Sequence, residues 1–150
     1  MMMEFQYKEI SRKRCKEIDK WKLQDPYGYG EIFIAENEYF VTNKDESILL
    51  CCPFIPRHDD VDVGITQRTY LLVVDQSYYI INFHVDDVKA FDSNHWLITV
   101  SILEKDYINE NSNELLSILK KVIAVFLNKH RHERIDEHFE YKFYYKGDEI

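Results

Sequence analysis

The stretch 69-TYLLVVDQSYYIINFHV-85 decides the fold. Two runs of β-branched and aromatic residues flank Asp75-Gln76-Ser77, a polar triplet with turn chemistry. Both runs are apolar at consecutive positions instead of alternating. A strand of that kind has both faces at least partly covered, so this hairpin belongs in the middle of a sheet.

Working outward, 46-ESILLCCPF-54 reads as a strand stopped by Pro53 and Pro56. Before it, 31-EIFIAENEYFVTN-43 has two β-rich runs around Glu36-Asn37 and reads as a hairpin. DPYGYG at 25–30 is a turn. SRKRCKEIDKWKL at 11–23 suits a short helix capped by Ser11, with Cys15, Ile18 and then Trp21 or Lys22 at helical spacing. On the other side, 95-HWLITVSILE-104 is a further strand. A long helix begins near residue 111, where Asn111 and Glu114 have capping-box spacing. Its stripe is Leu115, Leu116, Leu119, Val122, Ile123, Phe126 and Leu127. Phe139, Tyr141, Phe143 and Tyr145 then alternate with polar residues, the pattern of a half-buried terminal strand at a sheet edge. Short turns between strands favour antiparallel pairing. The expected fold is therefore α+β: one domain over 1–150, a mainly antiparallel sheet of about six strands, a long C-terminal-half helix packed on one face, and a short N-terminal helix.

Composition agrees with a globular chain: 45% hydrophobic and 31% charged residues over 150 positions. No apolar run approaches the length of a membrane span, and the N-terminus is charged where a signal peptide is apolar, so a cytoplasmic location is expected. Cys15, Cys51 and Cys52 are odd in number and two are adjacent, which argues against a disulfide framework. The net charge is −8, and residues 26–116 carry the excess, with sixteen Asp/Glu against five Lys/Arg. Such a segment repels phosphate backbones and attracts basic proteins, so no direct nucleic-acid partner is expected.

Chemistry-bearing clusters are few. CCPFIPRHDDVDVG at 51–64 could offer His58, Asp59, Asp60 and Asp62 to a divalent cation. An EF-hand needs its glycine after three spaced oxygen ligands and a glutamate at the end of the loop. Gly64 follows Asp62 by two and no such Glu follows, so the segment reads as an acidic connector. Cys51 and Cys52 point to opposite sides of a strand and cannot easily grip one metal. HRHERIDEH at 130–138 lacks HExxH spacing; a helix would splay His130 and His132, and the bland alternative is a polar helix-to-strand connector. His84 with Asp86 or Asp87 could form an acid–base pair, but a strand-end histidine is more often structural. No Walker A loop, GxGxxG, GxSxG or CxxC is present. No catalytic residue, metal ligand or cofactor is assigned. The candidate partner-binding residues are Asp59, Asp60, Asp62, Asp86, Asp87, Asp92, Tyr27 and Tyr29, with Trp21 and Trp96 as further aromatic anchors.

In size, acidity and lack of a catalytic motif, with Lys/Ile/Asn/Tyr-rich usage as in NKDESILL and YINENSNELL, the chain resembles the small cytoplasmic immunity proteins of bacterial polymorphic-toxin and contact-dependent inhibition systems. That resemblance implies a tight complex with a cognate toxin domain, often a basic nuclease, whose active site or substrate path is blocked. Two other classes compete: a small metal-dependent hydrolase built on His130, His132 and His138, and a self-associating regulatory domain, a homodimer paired through the edge of the terminal strand.

Overall fold

Consecutive apolar residues on both arms of the 69–85 hairpin demand two apolar layers, and the molecule supplies one on each side of its sheet. The structure is a computed structural model that describes residues 4–24, 30–36, 39–54, 69–87, 96–105, 112–130 and 139–150. Eight strands form one sheet: β1 (Gln6–Glu9), β2 (Tyr39–Thr42), β3 (Ile48–Phe54), β4 (Thr69–Val74), β5 (Ser77–Asp87), β6 (Trp96–Lys105), β7 (Phe139–Tyr145) and β8 (Asp148–Glu149). Spatial order follows chain order. Neighbours pair antiparallel throughout, except that β6 and β7 run parallel. The helices are α1 (Arg12–Asp19) and α2 (Ser112–His130).

This corrects the expected sheet of about six strands: the sheet has eight and is mixed, though mostly antiparallel. Residues 31–35, expected as the first arm of a hairpin around Glu36-Asn37, contain only an isolated Gln24–Glu31 bridge and the start of a 3-10 turn at Ile34–Glu36. The cause is a tertiary cap. The Asp19 carboxylate accepts hydrogen bonds from the backbone N–H groups of Ile34 and Ala35, satisfying donors at the start of that turn. Two strands, β1 and β8, were not expected. The terminal-edge expectation also fails, because β8 pairs along β7 through a two-residue turn. Lys146 (φ 50°) and Gly147 (φ 87°) both occupy the left-handed region that this tight hairpin turn requires.

On one sheet face, Leu50, Tyr70, Leu72, Ile81, Phe83, Ile98 and Val100 pack under α2. The helix lies across this face. Lys120 stands over β7, where its carbonyl accepts from the Tyr141 hydroxyl at 3.1 Å and its ammonium sits 5.8 Å from the ring centre. Phe126 meets Tyr70 and Phe83 edge-on, and Lys129 reaches the Tyr7 ring on β1. Ile118 is also buried, widening the stripe read from sequence. Burial pushes the Tyr141 phenol well above its ordinary range.

On the opposite face, Phe40, Leu49, Cys51, Leu71, Val73 and Ile80 pack against Cys15 and Ile18 of α1. Ser11 caps α1 as its sequence implies, its hydroxyl accepting from the Arg14 N–H at 3.3 Å and donating to Glu46 Oε2 at 2.7 Å. Arg14 turns inward. Its guanidinium donates to the carbonyls of Glu46 (2.9 Å), Ser47 (3.4 Å) and Asp75 (2.7 Å), tying the β2–β3 and β4–β5 turns to the helix.

Candidate functional site

The topology gathers most of the segments singled out by charge. β3 ends at Phe54 opposite Thr69, the first residue of β4. β5 ends with Asp86 and Asp87 opposite Leu97 and Trp96, and Trp96 in turn pairs with Phe139, the first residue of β7. The strand ends that bracket 55–68 and 88–95, and the strand start that follows 131–138, therefore lie at one end of the sheet. Asp59, Asp60 and Asp62 belong to the first segment, Asp92 to the second, and His132 and His138 to the third; these residues lie outside the described ones. His130 closes α2. Asp86 and Asp87 are the last two residues of β5, so the acidic connector starts later than its sequence suggested.

Tyr27 and Tyr29 also lie outside the described residues, and the structure does not tether them with the aspartates. Their segment is anchored by the Gln24–Glu31 bridge, and Gln24 lines a cleft with Gln76 of the β4–β5 turn, at the opposite end of the sheet. Trp21 lines the same cleft, while Trp96 begins β6 at the acidic end.

A surface the sequence reading missed adjoins that acidic end. Past Ile80, the face that α1 covers elsewhere carries two register rows across β5, β6 and β7: Asn82–Ser101–Tyr144 and His84–Thr99–Lys142. All six are exposed or half-buried. The signal was present as period-two alternation, with Asn82 and His84 flanking the buried Phe83. His84 is thus a side chain on this open sheet face, several residues inside the strand.

Charge is segregated as well. Arg12, Lys13 and Lys16 of α1 are exposed, whereas its carboxylates are engaged: Glu17 pairs with Arg14 at 3.6 Å and Asp19 caps the 3-10 turn. The outer surface of α1 is basic in a chain that is acidic as a whole.

The cysteines have the environment of core residues. Cys51 faces the α1 core and Cys52 packs against the α2 core, the opposite-face arrangement that adjacent strand positions require. Burial pushes the Cys51 thiol well up, and burial followed by the charges of Asp19 and Glu46 raises Cys15. A raised thiol pKa keeps sulfur protonated at neutral pH, the reverse of what a cysteine nucleophile needs. In the native protein a thiol reagent such as dithionitrobenzoate should react first at half-buried Cys52, with Cys15 and Cys51 reacting only on unfolding. Equal native rates at all three, read by mass spectrometry of the labelled peptides, would contradict this burial order.

Among the described residues, no group of three His, Cys, Asp or Glu side chains is placed to hold a metal ion, and no helix is long and apolar enough to cross a membrane. Compared with known proteins, the chain matches no family model, no curated protein and no solved structure.

Proposed function

We propose that this is a cytoplasmic partner-binding protein of the immunity type, which neutralises a basic, nuclease-like toxin domain by occupying its active site or substrate path. The observation that carries this reading is the convergence of strand ends. The connectors holding Asp59, Asp60, Asp62 and Asp92 leave strand ends at the same end of the sheet as Asp86 and Asp87, which lie four and five residues beyond the Thr69–Asn82 pair. Acidic groups gathered at one end focus a negative potential, which steers a basic partner and competes with its phosphate substrate. The adjoining face of Asn82, His84, Thr99 and Lys142 supplies exposed and half-buried side chains for the contact that follows encounter.

Self-association through the sheet edge is the weaker reading. The C-terminal edge is β8, two exposed acidic residues long, and short charged edges resist pairing. The hydrolase reading rests on His132 and His138, outside the described residues, and no observed geometry supports it.

The test is to isolate a partner by affinity capture and assay that partner's nuclease activity with and without stoichiometric protein. Undiminished activity in the complex rejects the inhibitor reading. Replacing Asp59, Asp60 and Asp62 together by Lys should slow association by about tenfold or more at low salt and change dissociation far less. An association rate that is unchanged at low salt, measured by stopped flow, removes that loop from the steering surface.

A further inference from the structure

We propose that the cleft at the C-terminal end of α1, at the opposite end of the sheet from Asp86 and Asp87, binds an adenine mononucleotide. The cleft has a volume of about 410 Å³, within the range of small-ligand sites. Its apolar floor is buried Leu23 and Ile80, and its aromatic walls are half-buried Trp21 and Tyr78. Lys22, Gln24 and Gln76 supply the polar atoms, and among the described residues no carboxylate lines it. In a chain of net charge −8, the Lys22 ammonium on the cleft favours an anion.

Two further observations point to a ligand. First, the donors are unspent. Among the described residues, Trp21 Nε1, the Lys22 ammonium and the Gln76 carboxamide have no hydrogen-bond or ion-pair partner. Second, Lys22, three residues past Asp19, is held at φ 53°, in the left-handed region that favours glycine. A side chain there is strained relative to glycine, and strained residues concentrate at ligand clamps. The rim is otherwise fixed: Ile32 N–H donates to the Leu23 carbonyl at 2.9 Å, and Gln24 pairs with Glu31.

The donors and rings together specify the ligand class. Two aromatic walls and an apolar floor take a flat ring. A carboxamide offers a donor and an acceptor side by side, which match N6 and N7 of adenine. A simple aromatic acid would leave the carboxamides unused. The phosphate falls to Lys22.

The experiment is titration of the full chain with AMP, followed by tryptophan fluorescence and by calorimetry, in the wild type and in Lys22→Gly. Saturable binding with a Kd between about 10 µM and 1 mM is expected. Lys22→Gly should weaken AMP binding about tenfold while raising the melting temperature by about 2–4 °C. The variant is expected to be more stable than wild type, so a loss of binding is not a loss of fold. No binding at about 10 mM AMP, or unchanged affinity in Lys22→Gly, overturns the proposal. Equal affinity for UMP overturns the adenine assignment. An adenine-containing single strand that binds where AMP does not overturns the free mononucleotide.

Discussion

Arg14→Ala is expected to lower the free energy of unfolding by about 3–4 kcal/mol, measured by urea denaturation. Arg14 is buried, at 9% exposure, and its guanidinium donates to three backbone carbonyls in two different turns. Alanine would leave the Glu46 and Asp75 carbonyls without this donor, while the Ser47 carbonyl keeps the Asp75 N–H at 2.7 Å, and each orphaned acceptor costs about 1–3 kcal/mol unless water reaches it. Water would reach some of them, which sets the figure below the full sum. Glu17, 44% exposed, contributes little to the loss because a pair of that kind is screened. Arg14→Lys should recover less than half, since an ammonium cannot reproduce the planar fork that spans Glu46 and Asp75. A loss under about 1 kcal/mol for alanine would show that the guanidinium does not hold the turns.

Phe83→Ala should cost about 3–5 kcal/mol. Phe83 is fully buried and its ring stacks on Tyr70 at 4.3 Å and meets Phe126 edge-on at 5.8 Å, so one side chain joins β4, β5 and α2. Removing the ring strips contacts from both remaining aromatics, and neither strand can move inward to fill the space while the ladders on both sides hold register. Phe33→Ala is the control: at 49% exposure it should change stability by under about 0.5 kcal/mol. Similar losses for both phenylalanines would mean that burial is not the determinant.

The parts legible in the sequence were those set by local pattern. The β4–β5 hairpin, the Ser11 cap and the apolar stripe of α2 follow from two β-rich runs around a polar triplet, capping chemistry and helical spacing. Strand β1 carries no such pattern. Its residues Gln6-Tyr7-Lys8-Glu9 lie at an edge and are exposed or half-exposed, so no apolar period marks them. The 31–36 segment has strand-like residues, but a carboxylate from α1, distant in sequence, sets its conformation. By contrast β8 was available: Lys146-Gly147 between Tyr145 and Asp148 is a tight-turn signal. The parallel pairing of β7 was available too, because a helix between two strands permits a crossover and short turns govern only the strands they join. For the candidate site, composition identified the acidic segments, but only the register of β3 to β7 shows which of them share one end of the sheet. The open face of His84 and Thr99 had no chemical motif to announce it.

The place of α2 between β6 and β7 has a consequence during synthesis. A nascent chain delivers β1 to β6 before the helix that covers them has left the ribosome. Until α2 docks, Tyr70, Leu72, Ile81, Phe83, Ile98 and Val100 form a bare apolar plane with no cover from their own chain. A half-made sheet of this kind is a substrate for holdase chaperones and a seed for aggregation. Ribosome stalling or premature termination after residue 105 should therefore be far more harmful than the loss of the short β8 strand.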